Sequence, residues 1–533
     1  MQRYIIFGTA VALAVISFVG LFWNQWFCLG LITFGALSFL GAYDVTQKSH
    51  AILRNYPIIG HMRFVFEGIR PEIRQYLIES DQDEEPFSRD ERSLIYQRAK
   101  GVEDKRPFGT RLRVYDAGYQ WVTHSMVPKN LEQHDFRLKI GGLNCNQPYE
   151  ASLYNVSAMS FGALSANAIL ALNEGAKLGG FAHDTGEGGI SRYHRKGGGD
   201  LIYQIGSGYF GCRTAVGRFD PDSFAEQAAN PQVKMIELKL SQGAKPGHGG
   251  VLPATKISEE IAEARGVPMD QDCISPASHP EFSTPLELVE FLGRLKMLSD
   301  GKPVGFKLCI GHRREFMCIV KAMLKTGIVP DFIVIDGKEG GTGAAPLEFA
   351  NHIGMPLVEG LSFAHNTLLG AGLRDQIKLG ASGKVVTAFD LVKVLAIGAD
   401  WANSARGFMF SLGCIQAQAC HTNECPVGVA TQDKLRHRAI DVASKSKRVA
   451  RFHENTLKAL AEITGAAGLS HPQEFKPHHL LMREKSREMV TGEEVFPELA
   501  AGSLRDGLDD GTGFWERWQR ASAESFDPPN TAS

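Results

Sequence analysis

Three cysteines near residue 420 are spaced like ligands. Cys414-x5-Cys420-x4-Cys425 is followed at once by Pro426, and no cysteine lies beyond Cys425 to make a fourth. Thiolates hold iron–sulfur clusters, and three rather than four point to a three-iron cluster. Zinc held by three cysteines and His421 is the competing reading. His421 is adjacent to Cys420, an awkward arrangement for one ion, and the C-x2-C knuckle spacing is absent. The remaining cysteines are scattered singly among nine in all. An odd count without a paired framework suits a reducing compartment.

Two short turns have the residue types of a phosphate cradle: Ala381-Ser382-Gly383-Lys384 and Ala405-Arg406-Gly407. Glycine lets backbone N–H groups approach closely, and Arg406 adds a charge-assisted contact. Either alone reads as an ordinary turn. A third stretch, Gly206-Ser-Gly208-Tyr-Phe-Gly211, fits G-x-G-x-x-G. A nicotinamide site needs a helix opening there and an acidic residue ending a second strand. This segment instead runs into Cys212-Arg213-Thr214 and soon reaches Pro221, so it reads as a loop.

The elements that position these residues begin near residue 151. Apolar strands are expected at 153–159, 180–184, 201–205, 233–240, 303–308, 331–336, 376–381 and 399–404. Helical stretches at 165–178, 284–299, 313–326 and 387–397 separate several of them. Eight apolar strands alternating with helices predict an α/β fold, a parallel (β/α)8 TIM barrel; a doubly wound open sheet shares the pattern. In a barrel, chemistry sits where strands end, and phosphate is held after strands seven and eight. The two cradle turns fall there. SFGALS, TGEGG, SQGAKPGHGG and GKEGGTGAAP likewise follow strands.

Residues 4–23 are uncharged, and twenty residues of helix span about 30 Å, the thickness of a bilayer core. Residues 27–43 are a second uncharged run, joined through Asn24-Gln-Trp26. Arg3 precedes the pair, and Lys48 and Arg54 follow, which predicts a two-helix transmembrane hairpin with both ends cytoplasmic. A cleaved signal peptide is the alternative, against which stand the long first run and the immediate second one. Residues 44–150 read as mixed and polar, with Asp81–Glu85 and Lys100–Arg113 as solvated loops. A formal net charge of −2 and the lack of an arginine-rich face exclude nucleic acid as a partner. Residues 476–533 read as peripheral helix and a weakly ordered tail.

Five motifs, in order, resemble the FMN-binding synthase domain of glutamate synthase. They are Ser157-Ala-Met-Ser-Phe-Gly-Ala-Leu-Ser165, Asp184-Thr-Gly-Glu-Gly-Gly189, Glu237-Leu-Lys-Leu-Ser-Gln-Gly-Ala-Lys-Pro-Gly247, Gly340-Gly-Thr-Gly-Ala344 and the cysteine segment Gly413–Gln432. The close match covers about 150–432. The resemblance implies FMN at the barrel mouth and a [3Fe-4S] cluster on Cys414, Cys420 and Cys425 relaying electrons to it. Reduced flavin would then deliver hydride to 2-iminoglutarate, formed from 2-oxoglutarate and ammonia, giving L-glutamate. The flavin phosphate is expected at Ser382, Gly383, Arg406 and Gly407. The ring is expected over Met159 and Ser160, with Gln204 and Lys307 at its edge and the loop Gly341-Thr342-Gly343 beside it. Lys307 would stabilise the electron-rich reduced ring, and Glu187 would position ammonia or move a proton. Gln242 and Lys245 would hold the dicarboxylate.

The implied organisation is a membrane anchor at 1–47, a connecting region at 48–150, the FMN-binding barrel and cluster loop at 151–432, and a C-terminal helical region and tail at 433–533. The barrel would lie on the cytoplasmic side of the cell inner membrane. Electrons would come from a donor protein, a ferredoxin or a separate NAD(P)H-oxidising subunit. The family's glutaminase domain, with its N-terminal cysteine nucleophile, is not expected: the chain opens Met1-Gln2 and enters the apolar run. The stretch Gly311-His-Arg-Arg-Glu315 departs from the family's Gly-Val-Gly loop, which leaves open a related product such as N-methylglutamate, or a membrane-held electron relay.

Overall fold

The computed structural model describes residues 2–82, 85–142, 144–252, 254–485, 488–509 and 511–528. The chain divides into two compact units, Met1–Asp90 and Glu91–Ser533.

In the first unit, α1 (Ile5–Gly20) and α2 (Phe27–Thr46) are the expected hairpin helices. The helix in the first uncharged run is shorter than expected: 16 residues, with the chain turning after Gly20. Only α2, 20 residues long, reaches spanning length among the described residues. The helices meet through small residues. A Cβ on Gly20 would stand 2.4 Å from the Phe27 ring, and one on Gly41 would stand 2.3 Å from the Phe7 ring. Small residues at these positions let the two helices approach closely. The stretch read only as mixed and polar continues as helix at Ala51–Asn55 and His61–Ile73. Period-3.6 apolar residues interleaved with charge explain both the helix at 61–73 and its reading as mixed sequence. Of the acidic patch, Asp83 and Glu84 lie outside the described residues.

The second unit is built on a closed parallel barrel. Its strands are β1 (Tyr154–Val156), β2 (His183–Asp184), β3 (Leu201–Ile205), β4 (Val233–Lys239), β5 (Val304–Leu308), β6 (Phe332–Asp336), β7 (Lys378–Ser382) and β8 (Trp401–Ser404). Each coincides with or falls chiefly within an expected run, and β8 pairs back onto β1. The barrel thereby excludes the open sheet. The strands are buried on both faces, which is why they read as continuous apolar runs.

Several crossover helices start at side-chain caps. Ser165, the last residue of the first motif, accepts from Ala168 N to open Ala166–Gly179, and Gly180 closes that helix in the left-handed conformation. Thr284 with Glu287 and Thr387 with Asp390 form reciprocal capping boxes. An antiparallel pair, Arg137–Ile140 with Tyr149–Ser152, precedes β1. Its connection bonds to residues just before β5 and β6, Asn146 N donating to Gly301 O and Gly142 N to Asp331 Oδ1, so it floors the end of the barrel opposite the strand tips. Residues 100–113 are exposed.

The C-terminal region contains helix as expected, but beyond residue 476 it also forms strands. Val442–Ala466 is a long helix crossing Ala166–Gly179 at Gly175, where a Cβ would lie 2.5 Å from the Val449 side chain. Beyond it, Leu480–Lys485 pairs with Glu488–Thr491 and with Gln120–Val122 in a small sheet. Residues 521–527 are strapped to the helix Arg313–Thr326: Lys321 donates to Ala521 O at 2.8 Å, Arg314 to Asp527 O at 2.9 Å and to Phe526 O. Cationic side chains meeting main-chain carbonyls carry no signature in the tail's own composition. Residues 529–533 lie outside the described residues.

Candidate functional site

The barrel interior near its C-terminal mouth is charged. Lys307, on β5, is buried, with its ammonium 3.4 Å from Asp336 Oδ1 at the end of β6. Glu237 on β4 and Asp184 on β2 also act on it. Burial works to lower the Lys307 pKa, but Asp336, Glu237 and Asp184 outweigh it and leave it above its usual value. Gln204, on β3, donates to Glu237 Oε1 at 2.6 Å. Burial and the Glu237 charge push Asp184 well above the carboxylate range. Burial also raises Glu237, with Lys307 and Gln204 opposing. Asp184 Oδ2 and Glu237 Oε2 have no hydrogen-bond partner among the described residues. Two adjacent buried carboxylates cannot both hold charge cheaply, which raises both pKa values against the pull of Lys307.

Glu187 lies in the loop after β2, 3.1 Å from Lys239 Nζ at the end of β4. Burial raises its pKa, but Lys239, Arg265 and Lys245 more than offset this and hold it below its usual value. The loop needs its glycines. Gly186, at φ +64°, lies so close to the first-strand loop that a Cβ would be 2.6 Å from Ser160 N. A Cβ on Gly206 would meet Glu187 Oε2 at 2.4 Å, and one on Gly250 would meet Oε1 at 3.1 Å. Gly206, first in the G-x-G-x-x-G stretch, therefore makes room for a carboxylate. No helix opens after that stretch until Pro221. His279 backs the site: its Nε2–H donates to Lys239 O at 2.8 Å, and the Tyr209 hydroxyl meets Nδ1 at 3.0 Å. Burial pushes its pKa down to about 4.

The loops after β4 and β6 are clasped together. Gln242 donates to Gly341 O at 2.9 Å, Lys245 to Ala344 O at 3.1 Å, and Gly243 N to Asp336 Oδ2 at 2.7 Å. Thr342 and Gly343 form the exposed tip. Burial, then Lys239, lowers the Lys245 pKa. Arg406 turns toward this same loop, donating to Glu339 O at 2.6 Å.

Ser382 ends β7, its hydroxyl 3.2 Å from that of Ser157, and is in register with Asn403 of β8. Gly383 follows at φ +148°. Gly407 is in the first turn of Arg406–Leu412, where a Cβ would meet Ser404 Oγ at 2.7 Å. The N–H groups of Gly383 and Gly407 have no protein acceptor among the described residues. Free donors on neighbouring strand tips are what a phosphate requires, so these residues fit the group expected there.

Cys425 is buried, Cys414 and Cys420 half-buried. Burial, then the charges of Cys420 and Cys425, push the Cys414 thiol up to about 12. Among the described residues no three His, Cys, Asp or Glu side chains are gathered tightly enough for one metal ion. The ligands of a multi-iron cluster bind separate irons and stand further apart. Gln416, Gln418 and Asn423 in this loop all have positive φ, a strain that non-glycine residues tolerate where surrounding contacts enforce it. Asn423 is enforced by Thr431 Oγ1 and Gln432 N.

Sequence reasoning missed Asp184, Glu237, Lys239, Asp336 and Arg265. The first four lie in the C-terminal halves of barrel strands, where barrel chemistry sits. Arg265 gave no such signal. It ends the helix Glu259–Arg265 in the β4–β5 connection and donates to Phe161 O at 3.2 Å and Ser160 Oγ at 3.4 Å.

A closed parallel barrel whose strand tips gather buried acids, cations and unpaired N–H donors has the architecture of an enzyme. Residues 137–470 match the conserved region in glutamate synthase. The chain is 38% identical over 507 residues to the glutamate synthase large subunit-like protein YerD of Bacillus subtilis, covering 87% of this chain and 96% of that one. It is 34% identical over 354 residues to the archaeal glutamate synthase [NADPH] of Methanocaldococcus jannaschii, covering 66% of this chain and 65% of that relative. Among solved structures, a mutant flavocytochrome b2 with pyruvate bound aligns at TM-score 0.43 and 13% identity, covering 84% of this chain and 97% of that one. The chain belongs to the glutamate synthase family, and it is an oxidoreductase of that type.

Proposed function

We propose that this protein uses FMN and a [3Fe-4S] cluster to convert 2-oxoglutarate and ammonia, by way of 2-iminoglutarate, to L-glutamate. Bound FMN would supply hydride, and the cluster would supply electrons singly. Ser382, Gly383, Arg406 and Gly407 would hold the phosphate. Lys307 would favour negative charge at the ring edge, beside Gln204 and the Asp184–Glu237 pair, and Met159, Ser160 and the Gly341-Thr342-Gly343 loop would flank the ring. Cys414, Cys420 and Cys425 would hold the cluster.

The observation that carries the reading is the set of cations around one ionised carboxylate at the mouth. Lys239, Lys245 and Arg265 all act on Glu187. A dianionic substrate fits such a site, with Lys245 and Gln242 on the loop that would meet it. Glu187, kept ionised, would orient ammonium or accept its proton as it adds to the keto carbon. Loss of water then leaves the imine, and hydride plus a proton completes the amine. Anaerobically reduced protein mixed with 2-oxoglutarate and ammonium tests this. Flavin reoxidation with stoichiometric glutamate is expected; no reoxidation rejects the reading.

A second amine is favoured by one feature. A cavity of about 370 Å3 opens beside the departing loop, lined by Cys309, Gly311, Glu315, Phe316 and Phe526 among others. Room with a carboxylate at its edge suits an alkylammonium ion, and methylammonium in the same assay would report N-methylglutamate.

For location, the hairpin α1–α2 is read as an inner-membrane anchor with both termini and the barrel cytoplasmic. Trp23 and Trp26 at the turn and Tyr43 near the other end, all exposed, suit the two bilayer interfaces. Membrane fractionation with and without detergent tests it.

A further inference from the structure

Two helices fasten the loop that carries Cys414. Tyr96, on the helix ending at Lys100, donates its hydroxyl to Cys414 O at 2.5 Å. Lys445, in the first turn of Val442–Ala466, reaches the neighbouring Gly413, where a Cβ would stand 3.0 Å from its Nζ. The two helices are tied to each other, Asn455 donating to Arg98 O at 2.8 Å. Where they meet lies a hollow of about 390 Å3, lined by Lys100, Lys447, Arg448 and Arg451 with Ala443 and Ser444.

The charge in this hollow is unbalanced. None of its four cations has a carboxylate within ion-pair distance among the described residues. Elsewhere comparable side chains are paired: Arg218 with Glu281, Lys296 with Asp331, Arg374 with Asp400. The chain as a whole has a formal charge of −2, so the hollow is not a sample of a generally basic surface. Clustered like charge is disfavoured unless an anionic partner screens it, and it draws such a partner by long-range steering.

We propose that this hollow is the docking site for an acidic electron-carrier protein, which delivers electrons at the Cys414 end of the cysteine loop. The inference rests on reading Cys414, Cys420 and Cys425 as cluster ligands. Position and shape select the partner. Electron transfer weakens steeply with distance, and the hollow is fastened to the residues on either side of the Cys414 peptide. An anionic bilayer would satisfy the same charges, but a concave site suits a protruding acidic surface better than a flat one. The balance closes with a one-electron carrier: two reduced carriers are oxidised, and their two electrons with two protons reduce one imine to one amine.

The test uses the full chain in detergent, purified anaerobically, with a reduced acidic [2Fe–2S] ferredoxin as probe. Flavin bleaching is followed by stopped flow, ferredoxin binding by fluorescence anisotropy, and iron by direct analysis. Wild-type reduction should slow steeply as ionic strength rises. The Lys447→Glu/Arg448→Glu/Arg451→Glu variant should be reduced by ferredoxin at least about tenfold more slowly at low salt, with iron content and dithionite reduction unchanged. The milder Lys447→Gln/Arg451→Gln variant, whose two exposed sites should not disturb folding, should fall between. Equal ferredoxin rates in wild type and both variants, or no ferredoxin binding by wild type, would overturn the proposal. Loss, in the variants, of binding to a fluorescent short-chain phosphatidylglycerol held below its micelle concentration, with no change in ferredoxin rate, would overturn it in favour of a lipid contact. Salt-sensitive ferredoxin binding by an iron-free wild type would sink the cluster reading and leave the docking site standing.

Discussion

Asp336, Glu237 and Asp184 jointly raise the pKa of the buried Lys307 ammonium. Its removal leaves buried carboxylates without their cation, and breaking a buried pair from one side typically costs about 3–5 kcal/mol. Lys307→Met is therefore expected to lower the unfolding free energy by that order in urea titration, and to slow turnover more than it lowers iron content. A loss below about 1 kcal/mol would mean that the acids simply take up protons instead. Glu187 makes a different prediction. Lys239 and its neighbours hold its pKa below the usual value, so the carboxylate is ionised at neutral pH and stays so into mild acid. If its charge is needed, the acid limb of kcat/KM lies below the ordinary glutamate range. Lys239→Met removes the strongest opposing charge, and burial then dominates, so the limb should move upward. Short pH-jump assays would separate this from unfolding; an unmoved limb would assign the limb to another group.

Glycines decide how closely the elements of the mouth approach. A Cβ on Gly243 would stand 1.8 Å from Gly337 O, a contact with backbone that no rotamer relieves, whereas nothing lies within 4 Å of one on Gly343. Gly243→Ala should force the β4 and β6 loops apart and break the Gln242–Gly341 and Gly243–Asp336 bonds. At least about tenfold loss of kcat/KM is expected, with Gly343→Ala near wild type. Comparable activity in both would show that the clasp is unimportant. The eight strands and four of the crossover helices were legible because burial on both faces writes long apolar runs, and caps such as Thr284-x-x-Glu287 write their own starts. The placement of the turns at 381–384 and 405–407 was legible because they follow strands, whereas the cysteine loop showed itself only by the spacing of Cys414, Cys420 and Cys425. The small sheet joining Gln120–Val122 to Leu480–Lys485 was not, since its two halves lie far apart in sequence and each strand is short and half-exposed. Arg265 was hidden for a related reason: it enters the site from a long connection, and no periodicity links it to the mouth.

At the scale of the molecule, residues 1–47 are expected to govern partitioning. Their deletion should yield protein that stays in solution without detergent and keeps its flavin, measured by absorbance after ultracentrifugation; full-length protein already soluble without detergent would reject the anchor. Buried histidines of the second unit make its stability depend on pH. His183, His279 and His453 are buried, and burial holds them at about 3, 4 and 3. Unfolded histidine titrates near 6.5. From pH 6.5 downward the unfolded chain thus binds protons that the folded chain refuses, and stability falls as pH falls. Each site costs about 2 kcal/mol by pH 5. Asp184 and Glu237 act in the opposite sense, since their raised pKa values let the folded state take up protons first. His453 isolates the histidine effect. It stacks on Phe181 with ring centres 4.0 Å apart and meets Ser152 Oγ at 2.8 Å, joining Val442–Ala466 to the strand before β1. His453→Gln keeps a polar group for Ser152 but cannot titrate. Lost stacking should lower Tm by a constant amount, while the slope of stability against pH between 6.5 and 5 becomes shallower by one histidine's share. An unchanged slope would mean that His453 takes up its proton without unfolding, and that the C-terminal helix opens locally to let it do so.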